Sequence, residues 1–375
     1  MIRTCREQID RLDDTILDLL VERAEVARTV GDAKRRANMP VFHDPEREER
    51  VLVRLGKKAK GRFPPDTVRT VWREVISACL SVEQPLRVAY LGPAGTFSQL
   101  AARKLFGLQA RYRDCATIHA VFDAVSSDDA TYGVVPVENS TEGAVSTTTD
   151  ALLDGALHIR QELILPIHQC LLSRSPSLSA IERVYSHPQA IAQCHKWLAR
   201  NLPRAQVIHS TSTTAAAVEA ATDERVAAIA SELASEVHGV PILQPQIQDL
   251  HDNATRFVVV AKGDAPVTGH DRTTLAFGVR DQKGALRRVL QAFEEANVNL
   301  TRIESRPSKK QAWHYVFLVD IEGHRTDPAV TQGLRALRRY VDFVKVIGSY
   351  PRGGAPEKEE KPRRTRSAPR ASSRA

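Results

Sequence analysis

The hydrophobic period of this chain changes at Leu86, and that change restricts the folds open to it. Before it, apolar residues recur every three to four positions. After it, they come in short runs separated by turns and amphipathic stretches. Residues 4–36 carry Ile9, Leu12, Ile16, Leu19, Leu20, Val26, Ala27 and Val30 on one stripe, with no proline until Pro40. That predicts one helix about 50 Å long at 1.5 Å per residue. Such length calls for a second long helix or a partner chain beside it. Asp44 and Pro45 form a helix-start signal, and a second helix runs to about Leu55. Asp66, after two prolines, is a cap candidate for a third. Its stripe is Val68, Val71, Trp72, Val75, Ile76, Cys79 and Leu80. Residues 1–84 therefore read as an all-helical module.

From Leu86 the pattern alternates. LRVAYLG, YGVVPVENS, LILPIHQCLL, ERVYSH, AQVIHS, ERVAAIA and TRFVVVAKG read as strands, with helical patterns between them. This predicts α/β layers with mostly parallel strands over 86–263, in two small lobes around a cleft. A Gly/Asp/Pro linker leads to 273–350, which reads as strand, helix, strand, strand, helix, strand. That is a ferredoxin-like α+β order. Residues 351–375 hold eight Lys/Arg, three Glu and no aromatic residue. They read as a disordered tail that supplies most of the net charge of +8. The tail lacks the rings that stack on bases, so no nucleic-acid partner is expected. No apolar run approaches the roughly 18 residues of a membrane span, and the charged N-terminus does not read as a secretory signal. Five scattered cysteines without a CxxC pair fit reduced thiols in a cytoplasmic protein. His168, His187 and His195 are not spaced as metal ligands, so no metal is expected.

Cations on the first helix mark a site. Arg6, Arg23 and Lys34 fall on or beside its apolar stripe, and a buried charge is costly unless paired. Long side chains can snorkel at helix ends; the alternative is a polyanion pocket inside a helical bundle. Arg47, Glu48 and Glu83 extend the set.

The runs REQIDRLDDTILDLLVERAEVARTVGDAK, DPEREERVL and ISACLSVEQ resemble the all-helical class of chorismate mutase. That family rearranges chorismate to prephenate by a pericyclic step that needs a held conformer and charge stabilisation, but no nucleophile or cofactor. The resemblance implies carboxylate binding by Arg6, Arg23 and Arg47, with Arg6 reaching across from a partner chain in an interlocked homodimer. It implies Lys34 at the ether oxygen, and Asp44 and Glu48 at the substrate hydroxyl. Where many members place a glutamine donor, this chain has Glu83, which donates only when protonated. Mutase activity is therefore expected to fall as pH rises.

VAYLGPAGTFS, VVPVENSTEG, YSHPQAIAQC and NATRF resemble prephenate dehydratase, in order and spacing. The resemblance implies a two-lobed, periplasmic-binding-protein-like fold that converts prephenate to phenylpyruvate. It puts Thr255 at the departing hydroxyl and Glu138, Asn139, Ser186 and Gln193 in the cleft. Arg256 either anchors a carboxylate or supports the site. DQKGAL and ESRP resemble the ACT regulatory module. In dehydratases these segments form a phenylalanine site, here Gly284, Ala285, Leu286, Glu304, Ser305, Arg306 and Pro307. Glu304 and Arg306 either bind the ligand or pin the neighbouring loop. The whole resembles a bifunctional enzyme of phenylalanine biosynthesis with feedback inhibition, as a dimer or a tetramer of paired dimers. Rival readings are a dehydratase whose helical module is only a dimerisation scaffold, and a non-enzymatic amino-acid-binding regulator.

Overall fold

The computed structural model describes residues 1–37, 45–59, 61–250, 252–279, 282–307 and 315–353. Residues 38–44, with Asp44 among them, and residues 354–375 lie outside this description, as does Asp281 of DQKGAL.

Three helices open the chain: α1 (Ile2–Arg36), α2 (Pro45–Ala59) and α3 (Pro65–Glu83). α3 begins at Pro65 with Pro64 before it, so a proline at the favoured first position starts it rather than an Asp66 cap. α1 and α2 both pack on α3. Along most of α1 the apolar stripe is uncovered. Ile9, Leu12, Ile16 and Leu19 are each more than half exposed, and Gly31 is the helix's buried residue. The stripe exists, but its own chain buries only its C-terminal end. α3 in turn docks on the α/β region: Ser77 Oγ donates to the Phe106 carbonyl at 2.9 Å and Arg73 Nη1 to that of Leu105 at 2.8 Å.

The α/β region forms two sheets. The first lobe contains β1 (Arg87–Leu91), α4 (Phe97–Phe106), β2 (Arg111–Cys115), α5 (Ile118–Ser126), β3 (Tyr132–Asn139), β4 (Gly143–Ala144), α6 (Ser146–Asp154) and β5 (His158–Pro166). The second contains β6 (Cys170–Leu172), β7 (Arg183–Ser186), α7 (Pro188–Gln193), α8 (His195–Asn201), β8 (Gln206–His209), α9 (Thr213–Thr222), β9 (Val226–Ala230), α10 (Glu232–His238) and β10 (Ile242–Gln244). The chain returns to the first lobe through β11 (Ala254–Ala261). The main strand orders are β2-β1-β3-β11-β5 and β10-β6-β9-β7-β8.

Both sheets are mixed, not mostly parallel. Each has a parallel trio, β2-β1-β3 and β8-β7-β9, extended by antiparallel strands. The antiparallel strands lead into and out of the two crossovers between lobes, at 167–169 and 245–253. For the same reason LILPIHQCLL is not one strand: it splits at Ile167–Gln169 into β5 and β6, in different sheets.

The last region is β12 (Asp271–Val279), α11 (Ala285–Glu295), β13 (Leu300–Pro307), β14 (Tyr315–Glu322), α12 (Pro328–Leu337) and β15 (Val341–Pro351), with strand order β13-β14-β12-β15. One face of this sheet, with Leu275, Phe277, Val319 and Ile321, packs with Val289 and Phe293 of α11 and Val330 and Leu337 of α12. The other face, with Ala276, Leu318, Ile347 and Tyr350, shares a core with Val135, Val258 and Val260 of the first lobe. Gly348 lies on the backbone of Ile159, where a Cβ would meet the Ile159 amide nitrogen at 2.8 Å. No helix among the described residues is long and apolar enough to cross a membrane.

Candidate functional site

In the helical module the structure brings Lys34 and Glu83 together. Lys34 Nζ donates to Glu83 Oε1 at 2.8 Å, and the Glu83 side chain is only 6% exposed. Arg35 Nη1 fixes the same residue through its carbonyl at 2.8 Å. The approach depends on Gly31, since a Cβ there would sit 2.6 Å from Glu83 Cγ. Arg23 is half-buried on α1. Glu48 lies 3.7 Å from Arg73 Nη1, a cation that sequence reasoning did not single out. Arg47 is exposed on α2. Arg6 is exposed and lies 28 residues from Lys34 on one continuous helix, about 42 Å along the axis. Within one chain it cannot join the others.

In the first lobe, Thr255 and Asn139 are cross-strand partners at the ends of β11 and β3. Asn139 Nδ2 donates to Thr255 Oγ1 at 2.8 Å and to Asn253 Oδ1 at 3.1 Å. Asn139 Oδ1 accepts from the amides of Thr141 and Glu142 and from Thr141 Oγ1. The amide is saturated on both sides, so it fixes the ENST turn. It also occupies a lone pair of the threonine, which frees the Thr255 O–H to donate elsewhere.

Nearby, Gln193 Oε1 accepts from Gln169 Nε2 at 3.0 Å, and Gln169 N donates to Gln248 Oε1. Gln169 and Gln248 lie on the two crossovers, as does Asn253. None of the three was singled out from sequence for the cleft. Asn253 and Thr255, both in the NATRF run, each accept from Asn139. Asn253 Nδ2 and Gln169 Oε1 are buried polar atoms without a hydrogen-bond partner. Ser186 is fully buried in the second lobe and gives its hydroxyl hydrogen to the Ile229 carbonyl at 2.6 Å.

Arg256 does not face the threonine site. Strand alternation turns it to the opposite face of the sheet. There Nε meets Glu162 at 2.7 Å, Nη1 meets Asp320 at 2.6 Å and Nη2 donates to Tyr350 OH at 2.7 Å. Burial alone would lower its pKa, but Tyr350, Asp320 and Glu162 outweigh this and raise it, so it is a permanent cation. Burial likewise pushes the Tyr350 phenol up. Its guanidinium is thus engaged by Glu162, Asp320 and Tyr350 on the face away from Thr255. Glu138, its cross-strand neighbour, also points to this face, 3.1 Å from Arg302 Nε and 3.8 Å from Arg256 Nη1.

The residues expected at an effector site separate in the same way. Gly284, with φ of +74°, precedes α11, and Ala285 and Leu286 open that helix. Ser305 lies beside Ile303 on the helix-bearing side of β13, and Ser305 and Pro307 are exposed. Glu304 and Arg306 alternate to the other side, toward the first lobe. Glu304 accepts from Arg302 Nη2 at 2.5 Å; Arg306 Nη1 donates to the Ser146 carbonyl at 2.8 Å and lies 3.0 Å from Asp150. Arg306 thus holds the start of α6.

His168 Nδ1 is 3.2 Å from Gln248 Nε2, His187 Nδ1 accepts from the Gln189 amide at the start of α7, and His195 opens α8.

Family models match all three regions: chorismate mutase type II over 5–84, prephenate dehydratase over 88–265 and the ACT domain over 273–339. The bifunctional chorismate mutase/prephenate dehydratase of Aquifex aeolicus is 48% identical over 94% of this chain and 98% of its own length. The chain belongs to the bifunctional chorismate mutase/prephenate dehydratase family. The Escherichia coli relative of the same name is 34% identical over 92% of this chain and 95% of its own. Among solved structures, the prephenate dehydratase of Arthrobacter aurescens in complex with L-Phe superposes with a TM-score of 0.66 at 35% identity. It covers 71% of this chain and 90% of its own. The family's three-part architecture matches the helical module, the two mixed α/β lobes and the ferredoxin-like sheet described above.

Proposed function

We propose that one chain carries out two consecutive reactions of phenylalanine biosynthesis, chorismate to prephenate in the helical module and prephenate to phenylpyruvate between the α/β lobes. Phenylalanine then restrains flux through the C-terminal module. The observation that carries the reading is the Asn139–Thr255 pair, a hydroxyl aimed by a saturated amide in a site flanked by both crossovers.

The mutase step needs only a compressed conformer and stabilisation of charge on the breaking ether bond. Lys34 supplies that charge; Arg23 and Arg47 hold carboxylates, with Asp44 and Glu48 at the hydroxyl. Glu83 donates a hydrogen bond to the ether oxygen when protonated. Arg6 contributes from a second chain. The exposed stripe of Ile9, Leu12, Ile16 and Leu19 supports this: a partner α1 lying antiparallel would cover it and carry its own arginine toward this Lys34.

In the dehydratase step the ring carboxylate leaves as carbon dioxide. Its bonding electrons complete the aromatic ring, and the hydroxyl departs, completed to water by one proton. Thr255, a very weak acid, positions that departure by hydrogen bonding rather than supplying the proton. Asn139, Ser186 and Gln193 shape the cleft, and Glu138 and Arg256 support it from behind. Gly284–Leu286, Ser305 and Pro307 hold phenylalanine. The scaffold-only reading of the helical module is disfavoured by the Lys34–Glu83 pair and by the bifunctional name of relatives matching nearly the whole chain.

The test is to supply purified protein with chorismate alone and follow phenylpyruvate with and without phenylalanine. Phenylpyruvate formation suppressed by phenylalanine is expected. Accumulation of prephenate would remove the Thr255 assignment. Untouched chorismate beside turnover of added prephenate would reduce the helical module to a scaffold.

A further inference from the structure

β13 is a strand with two audiences. Beyond the irregularity between Leu300 and Arg302, Arg302 pairs with Asp320 and Glu304 with Leu318, whose side chains face the first lobe. Ile303 pairs with Val319, which faces the helices of the C-terminal module. The period of two therefore sorts the ESRP segment by destination. Ser305 stands on the side where the proposed effector residues of α11 begin, and Arg302, Glu304 and Arg306 stand toward catalysis.

The even residues grip two neighbouring pieces of the dehydratase site. Arg302 divides its guanidinium between Glu304, through Nη2 at 2.5 Å, and Glu138, through Nε at 3.1 Å. Glu138 is bonded in sequence to Asn139, which aims Thr255. Arg306 holds the first turn of α6, the helix that follows the ENSTEG hairpin. Lys345 of β15 holds the other end of α6, donating to the carbonyls of Leu152, Leu153 and Gly155 at 2.9, 2.6 and 2.6 Å. Both ends of α6, and Glu138 next to Asn139, are thus held by side chains of the regulatory sheet.

We propose that Arg302 is a positioning residue that couples effector occupancy to the dehydratase site, through the chain Glu304–Arg302–Glu138–Asn139–Thr255. The proposal rests on the reading of phenylalanine as effector given above. A displacement of the ESRP strand by the ligand changes how Arg302 is shared between two carboxylates, one on each side of the domain boundary. Because the shared group is a side-chain charge, the coupling can be removed without touching the ligand-facing residues. Linkage requires the effect to be reciprocal.

The experiment uses the full chain and two variants, Arg302→Gln and Arg302→Lys. Phenylalanine binding is measured by calorimetry, inhibition of prephenate turnover by initial rates, and folding by thermal unfolding. For Arg302→Gln, phenylalanine affinity should stay within about threefold of the parent, while half-inhibition needs at least about tenfold more phenylalanine. Arg302→Lys, which keeps the charge, should recover part of the inhibition. Unchanged inhibition in Arg302→Gln would overturn the coupling role. So would loss of phenylalanine binding together with inhibition, which would make Arg302 part of the effector site. A parent chain that turns over prephenate but neither binds nor responds to phenylalanine would overturn the effector reading and the coupling with it.

Discussion

Asn139 and Thr255 face each other across β3 and β11, with the asparagine amide donating to the threonine oxygen at 2.8 Å. The bond fixes the rotor of the hydroxyl and decides which way its hydrogen can point. Replacing Thr255 with Val keeps the β-branched shape and removes the hydroxyl. The kcat for prephenate should drop by about 10²–10³-fold, the range for removing one preorganised hydrogen-bond donor, while chorismate turnover is unaffected. A loss smaller than threefold would mean that the hydroxyl takes no part.

Glu83 is the position where this chain departs from the glutamine of many mutases, and it is held by Lys34 at 2.8 Å. An ionised carboxylate only accepts hydrogen bonds. Its use as a donor requires a proton, whereas Glu83→Gln donates without one. Chorismate turnover should therefore be retained in Glu83→Gln, with turnover of added prephenate unaffected. A loss of more than about tenfold in chorismate turnover would exclude the donor role.

Arg256 holds Glu162 and Asp320 in a buried cluster, with Arg272 also reaching Glu162 at 2.7 Å. Arg256→Met would leave buried carboxylates without their main cation. The expected loss is about 3–5 kcal/mol of stability, read from denaturant unfolding. A loss under about 1 kcal/mol would show that Arg272 alone suffices.

Gly348→Ala places a methyl group against the Ile159 backbone. Backbone cannot move aside as a flexible side chain can, so overpacking should cost about 1–3 kcal/mol. The sheet that carries β15 should loosen from the first lobe, and phenylalanine should inhibit prephenate turnover less. Chorismate turnover by the helical module should be retained. Full stability with unaltered inhibition would mean that the two sheets separate without consequence.

Much of this architecture was legible in local pattern. The change of period at Leu86, the ferredoxin-like order and the position of NATRF all depend on residues close in sequence. Arg256 shows where that information stops. Its neighbours reveal a strand, and a strand has two faces, but the partners that claim this arginine are Asp320 and Tyr350, far along the chain. Glu304 and Arg306 present the same problem: a motif read as one unit divides because its alternate residues meet different domains. α1 is the converse case. Its apolar stripe was visible, yet periodicity states that a surface needs covering without naming what covers it. Mixed rather than parallel sheets follow from the two crossovers, which no single strand announces.

The ferredoxin-like sheet shares its buried apolar core with the first lobe, while the clusters of the second lobe draw on its own strands and helices. The regulator and the first lobe therefore form one packed unit, to which the second lobe is joined by the crossovers at 167–169 and 245–253 and by direct contacts, with Ser231 Oγ donating to the Gly95 carbonyl at 2.6 Å and Arg103 paired with Glu236 at 2.9 Å. A signal that starts at the regulatory sheet does not need to push the distant jaw. The Thr255 hydroxyl stands on its own side of the cleft, in the lobe that shares a core with that sheet.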